Sequence, residues 1–308
     1  MKQIKIGGSE LEGSQVILGC MRLDERIKRK KKVSKVLQTA FDNGINTFDH
    51  ADIYGGGKCE TYFAQALKET SISRDEILIQ SKCGIIPGKA FDFSKEHIIK
   101  SVEGSLTRLD TDHLDMLLLH RPDTLMEPVE VAEAFDELKA AGKVRHFGVS
   151  NFNPRQIQLL ETAVKEPLIA NQLQFGIAHA GMISNGLHVN MEDGESVDHD
   201  GSILEYSRIK NMTIQAWSPF QYGYFEGIFL DNHKFPELNA QLEKLAKKYG
   251  FTKTGIATAW INRHPADIQT VIGSMTRDRI RESTDASDLV LTREEWYSIY
   301  MAAGNILP

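Results

Sequence analysis

The chain has 308 residues, 41% of them hydrophobic and 25% charged, with a net charge of −6 and a mean hydropathy of −0.30. That length buries a large core, and the acidic balance argues against a general nucleic-acid binder. Three cysteines (Cys20, Cys59, Cys83) without a CxxC pair exclude a disulfide framework or zinc ribbon and point to a reducing compartment.

The opening "MKQIKIGGSELEGS" carries charges and glycines where a signal peptide needs an apolar core, and no apolar run approaches the length of a membrane span. A cytoplasmic protein without membrane contact is expected. No Pro/Ser-rich linker divides residues 1–308, so the whole is read as one domain. A short hairpin ("IKIGG", then "GSQVILG") leads into strand-like runs that alternate with helix-like ones. The strand candidates in chain order are Val16–Gly19, Ile45–Ala51, Glu76–Cys83 and Leu114–His120, then Val144–Ser150, Leu168–Gln174, Met212–Ser218 and Ile268–Ser274. After the first comes the basic run "RIKRKKK" (Arg26–Lys32), read as a solvated loop or helix start.

Between the strands lie segments such as "VSKVLQTAFDNG", "KEHIIKSVEGSLTRLD" and "VEVAEAFDELKAAGK". The last two space their apolar residues helically, and several end in Gly or Asn near the expected stop. Short Val- and Ile-rich runs, each followed by a helix, indicate parallel strands with crossover helices. Eight such units predict a (β/α)8 barrel, with a doubly wound sheet as the runner-up. In a barrel, function collects where strands end. Asp49, Lys82, His120, Ser150, Asn151, Gln172 and Ser218 all fall at such ends. The segment Phe175–Gly201 is long for a barrel loop and reads as a lid or a surface insertion.

The stretch "FDHADIYGGGKCE" (Phe48–Glu60) is the densest in chemistry. It is not a P-loop, because Cys59 follows Gly57-Lys58 where that loop needs Ser or Thr, and it lacks the G-x-G-x-x-G turn. The glycines instead suit a tight turn that returns Tyr54 to the barrel mouth. Glu60 would then complement the dipole of the next helix. A metal held by Asp49, His50 and Asp52 is the weaker reading, since no H-x-H or H-E-x-x-H occurs. A proton-transfer site completed from elsewhere in the chain is the stronger one.

"FDHADIYG", "SKCG" and "LLLHRP", in that order and each at a strand end, resemble the aldo-keto reductase family over nearly the whole chain. The nearest likeness is to a bacterial branch of oxidoreductases in which "HADIYGG.CE", "SKCGI" and "GKVRHFGVSNF" recur. The resemblance implies a catalytic tetrad of Asp49, Tyr54, Lys82 and His120, with no metal. It implies Ser150, Asn151 and Gln172 on a nicotinamide carboxamide and Trp217 stacked on the ring. Ser218 and Phe220 would meet pyrophosphate and ribose, and Gly19, Cys20 and Met21 would border the cofactor. "VIGSMTRDRIRES" resembles the adenosine-phosphate segment, implying Gly273, Ser274, Met275, Thr276, Arg279, Glu282 and Ser283. Two positions depart from the pattern: Gly273–Met275 replaces a common Lys or Arg, and Ser283 a common Asn.

A tyrosine of pKa about 10 is a reluctant acid near neutrality, and a neighbouring ammonium favours its phenolate. The expectation is therefore that Lys82, held by Asp49, lowers Tyr54 toward the working range while His120 orients the carbonyl. An arginine against the 2′-phosphate favours NADP(H) over NAD(H). The implied activity is reduction of small aldehydes or ketones, or oxidation of the alcohols, by a monomer or weak oligomer. The rival class is a nucleotide-sensing or partner-binding protein on the same fold. Met21, Arg22, Tyr222, Tyr224 and Phe225 are the candidate substrate-pocket liners.

Overall fold

The computed structural model describes residues 1–28 and 32–308. Eight parallel strands close a barrel: β1 (Val16–Gly19), β2 (Thr47–Asp49), β3 (Leu78–Cys83), β4 (Leu114–Leu119), β5 (Val144–Ser150), β6 (Leu168–Gln174), β7 (Thr213–Trp217) and β8 (Gln269–Ile272). Their order around the barrel is their order in the chain, with β8 paired to β1 and β5 to β6. The (β/α)8 expectation holds, and the runner-up sheet does not. Five expected strands are shorter than read: β2 lacks both ends of Ile45–Ala51, Glu76 belongs to the short turn Arg74–Glu76 before β3, and β4, β7 and β8 also stop short of their expected bounds.

Strand alternation sorts the side chains. Phe48, Ile79, Leu117, Phe147, Val149, Ile214 and Ile272 belong to the apolar layer shared with the surrounding helices. Other strand residues, among them Asp49, Gln80, Lys82, Gln172, Gln215 and Gln269, are buried among the polar groups of the interior. Four helices start where a side chain satisfies a free N–H group: Ser94, Asn153, Thr252 and Thr292 each accept a backbone hydrogen bond as N-caps.

The opening hairpin pairs Gln3–Lys5 with Glu12–Ser14, a few residues earlier than read, because Val16–Gly19 is itself a barrel strand. It plugs the end of the barrel where the strands begin. Ile6 packs with Met116, Leu118, Ile169 and Ala170 in a small separate core. Arg26–Lys28 end the short helix Leu23–Lys28, and the centre of the basic run lies outside the described residues. Among the described residues no helix is long and apolar enough to cross a membrane.

Phe175–Gly201 is a packed insertion. It carries the helix Gly181–Leu187 and buries Phe175 and Ile177 completely. Its His188 is fully buried, with Nδ1 2.9 Å from Asp193 Oδ2 and Nε2 3.0 Å from the Ile306 carbonyl. Both neighbours only accept, so the ring supplies a proton on each nitrogen and ties the insertion to the C-terminal tail.

Candidate active site

The site forms where strands end. Gly19 of β1 stands level with Asp49 of β2, and Gln172 of β6 with Ser150 of β5. After Asp49 the chain runs to Tyr54 and then through Gly55, Gly56 and Gly57 at φ of 59°, 66° and 86°. Three successive left-handed residues turn the backbone abruptly into the helix Lys58–Leu67. A Cβ at Gly55 would lie 3.1 Å from Cys59 Sγ, and one at Gly57 3.0 Å from Arg108. The turn therefore requires glycine for conformation and space together.

Asp49, His50 and Asp52 do not converge. Asp49 Oδ1 accepts from Lys82 Nζ at 2.6 Å. His50 is fully buried edge-on against Phe63, and burial with the Lys82 charge lowers its pKa to about 3. Asp52 is raised to about 6, first by burial and then by Glu60. Glu60 does sit in the first turn of its helix, but its carboxylate is buried. It takes hydrogen bonds from Ser81 Oγ and Arg108 Nε, both at 2.7 Å.

Lys82 is the centre of the arrangement. Its ammonium has three protons, and all are placed: on Asp49 Oδ1, on the His50 carbonyl at 2.8 Å and on the Tyr54 hydroxyl oxygen at 3.1 Å. Burial pulls its pKa down, but Asp49 and then Tyr54 outweigh that and leave it raised, so it stays charged. Tyr54 departs from the sequence expectation. Lys82 does pull it down, yet burial is the larger effect and the net direction is up. His120 lies edge-on to Tyr54 with ring centroids 6.0 Å apart. Burial, with Lys82 and Arg121 nearby, drives its pKa well below the usual range, so it is neutral.

A groove of ≈ 1060 Å³ opens over these residues and runs to β8 and the helix Arg277–Asp285. Every residue that the resemblance set against a cofactor lines it, except Cys20. Cys20 is fully buried with its thiol toward the Leu18 carbonyl, because it faces the helix layer and only Gly19 and Met21 reach the opening. Ser150 donates to the Gln172 carbonyl and accepts from Asn151 Nδ2, while Asn151 Oδ1 accepts from Trp217 Nε1 at 3.1 Å. Gln172 Nε2 is spent on Asp49 and Gln215, and its Oε1 has no hydrogen bond among the described residues. Asn151 and Ser218 have φ of 61° and 52°, local strain at two strand ends that border the groove.

Trp217 has Phe225 stacked at 6.1 Å and the Arg121 guanidinium 5.8 Å from its ring centre. Phe220 and the Gly273–Thr276 stretch line the far part of the groove. Thr254 Oγ1 donates to Glu282 there, and the Ser283 hydroxyl is spent on the Arg279 carbonyl. Met21, Arg22, Tyr224 and Phe225 line the groove as expected, whereas Tyr222 packs on Phe235 at 5.0 Å. A second cavity of ≈ 850 Å³ shares Arg121, Asn151, Trp217 and Tyr224 with the first and is walled by the insertion.

Sequence reasoning missed Arg121, Gln80 and Gln215. The available signal was a glutamine inside otherwise apolar strand runs ("EILIQSK", "TIQAWS"), a residue type out of place in a barrel interior unless it has polar partners.

A phenol held against a fixed ammonium, beside a neutral imidazole and at the end of a long groove, is equipped to move one proton while a bound partner reacts. Known proteins resemble the chain over nearly its whole length. An oxidoreductase of Bacillus subtilis, called uncharacterized by name, is 37% identical over 98% of each chain. The 6-dehydroglucose reductase of Agrobacterium fabrum is 34% identical over 96% of this chain and 95% of its own. An aldo-keto reductase of Klebsiella pneumoniae, crystallised with NADPH, superposes with a TM-score of 0.79 at 24% identity, over 100% of this chain and 98% of that one. The Aldo/keto reductase family model matches residues 15–302, and the chain belongs to that family of oxidoreductases.

Proposed function

We propose that the protein reduces an aldehyde or ketone with NADPH, Tyr54 giving the proton to the carbonyl oxygen. The observation that carries this reading is the Asp49–Lys82–Tyr54 chain of contacts, 2.6 and 3.1 Å long. When bound, the nicotinamide cofactor supplies the hydride. Lys82 supports the phenolate that remains after proton loss, and Asp49 keeps Lys82 charged and fixed. Neutral His120 orients the carbonyl by a hydrogen bond.

The groove's shape and chemistry fit such a cofactor. Ser150, Asn151 and Gln172 would hold the carboxamide, with Gln172 Oε1 as the acceptor for its N–H. Trp217 would carry the ring, Ser218 and Phe220 would hold the middle, and Gly273–Thr276, Arg279, Glu282 and Ser283 the adenosine end. NADPH is preferred in this reading because Arg279, in the first turn of its helix, has no acidic partner among the described residues, whereas Arg281 nearby is paired with Asp278 at 3.0 Å. A guanidinium so placed suits a 2′-phosphate.

For substrate, sugar aldehydes are the first class to test. Two relatives are named 6-dehydroglucose reductase. The second cavity presents Arg121, Asn151, Gln174, Asn185 and Asp200, side chains suited to hydroxyl groups.

The test is NADPH oxidation over a panel of sugar aldehydes, aromatic aldehydes and ketones, beside Tyr54→Phe. The variant should bind NADPH normally, by fluorescence quenching, and lose turnover by a factor of about a thousand or more, the order expected when a general acid is removed from a preorganised site. Equal turnover in both proteins would sink the assignment.

A further inference from the structure

Four glutamines stand inside the barrel, a place where branched apolar side chains usually dominate. Gln80, Gln172, Gln215 and Gln269 come from β3, β6, β7 and β8 and are all buried. Gln215 is the hub. Its Nε2 donates to Gln80 Oε1 and to Gln269 Oε1, both at 2.9 Å. Its Oε1 accepts from Gln80 Nε2 at 3.0 Å and Gln172 Nε2 at 3.1 Å. An amide has two N–H bonds and two lone pairs, so this one is saturated. Gln80 and Gln172 also present Nε2 to Asp49 Oδ1, at 2.5 and 3.0 Å, and Gln269 donates to the Ser14 carbonyl at 2.9 Å.

The two ends set the sense of the network. Asp49, paired with Lys82, accepts only, and so does the Ser14 carbonyl. Turning Gln80 over would bring two acceptors face to face at hydrogen-bond distance. Gln80 and Gln172 therefore both aim an N–H group at one carboxylate oxygen, Asp49 Oδ1. In a dry interior, donors so arranged offset the carboxylate's charge and fix its position.

We propose that Gln215 is a positioning residue for the reaction: through Gln80 and Gln172 it keeps Asp49 in place, and Asp49 keeps the Lys82 ammonium on Tyr54. The proposal rests on the reading of Tyr54 as proton donor. Gln215 touches neither substrate nor cofactor. Without it Gln80 and Gln172 lose their common anchor, and the Asp49 charge is less offset by amide dipoles. A less compensated carboxylate beside Tyr54 disfavours the phenolate, so alcohol oxidation, which starts from phenolate, shifts to higher pH.

The experiment compares Gln215→Met, Gln80→Met/Gln215→Met, Gln269→Met and Tyr54→Phe with the unaltered protein. It records the pH profile of 4-nitrobenzyl alcohol oxidation with NADP⁺, NADPH affinity and melting temperature. Gln215→Met should move the acid limb up by about half to one pH unit and slow turnover on that limb by about threefold to tenfold, the same shift read as a rate. NADPH affinity should stay within about twofold, since Gln215 does not line the groove. The double variant removes Gln80 Oε1, one of the two acceptors that Gln215→Met orphans, so it should regain part of the melting temperature but keep the displaced limb. Gln269→Met, at the far end of the network, should lower the melting temperature and leave the limb in place. A lowered melting temperature with an unmoved limb in both Gln215 variants would overturn the proposal and leave the Tyr54 reading standing. Should Gln215→Met fail to fold, the double variant decides alone. An active Tyr54→Phe would instead remove the proton-donor reading, and the proposal with it, whatever the glutamine variants do.

Discussion

The Lys82 ammonium donates to the Tyr54 hydroxyl oxygen at 3.1 Å, with Asp49 and the His50 carbonyl taking its other protons. No N–H is left to rotate toward solvent. The contact couples the charge of one buried group to the protonation of the other, and it is specified on three sides rather than by the pair alone.

Lys82→Met should therefore fail in two ways. It strands the Asp49 carboxylate in the interior, at a cost of about 3–5 kcal/mol for an uncompensated buried charge, and it withdraws support from the Tyr54 phenolate. Thermal unfolding should register the first loss and kcat the second. Asp49→Asn/Lys82→Met should recover much of the melting temperature while staying inactive. Recovery of activity along with stability would show that the ion pair matters only for folding.

Arg279→Ala should raise KM for NADPH by about tenfold or more and leave KM for NADH nearly unchanged, as expected for loss of a charge-assisted phosphate contact. Initial rates with each cofactor at one fixed aldehyde concentration would show it. Equal effects on the two cofactors would place Arg279 on the adenine or outside the groove's chemistry.

His50 makes the fold acid-sensitive. Its pKa is lowered to about 3 in the folded chain, chiefly by burial, against about 6.5 when unfolded. Between those values the unfolded chain holds the extra proton, so stability falls as pH drops, by about 1.4 kcal/mol per pH unit for one such group. His50→Leu should flatten the decline of melting temperature from pH 6.5 toward 4. An unchanged slope would assign the effect to other groups, His120 first.

His188 acts with the opposite sign. Hydrogen bonding to Asp193, then to the Ile306 carbonyl, raises its pKa, so its contribution is complete below about 6.5 and lost as pH rises through the raised folded value. His188→Gln should speed hydrogen exchange in the C-terminal tail at acidic pH, where the unaltered latch is closed. The difference should shrink on the alkaline side. Parallel exchange in both proteins at acidic pH would mean the tail is held by other contacts.

Much of the fold was written in local patterns. Eight short Val- and Ile-rich runs, each followed by a helical stretch, have one economical closed arrangement, and β5 and β6 match their sequence bounds to the residue. The gathering of Asp49, Lys82 and His120 was readable for a related reason. In a barrel the residue that ends a strand faces the common opening, so Asp49, Lys82 and His120 could be placed together without knowing any distance between them.

What the sequence by itself determined is which chemistry is present and at which end of the barrel it gathers. Only the tertiary structure decided how that chemistry is tuned. Lys82 pulls Tyr54 down as its residue type requires, but burial pulls harder, and burial depends on everything packed around the ring. Cys20 left the groove because alternation at β1 turns it into the helix layer. The glutamine network and the His188 latch join residues from distant parts of the chain, Gln80 to Gln215 and His188 to Ile306. A hydrogen bond is specified by the position of two atoms in space, and no spacing along one strand records where the other strand will be.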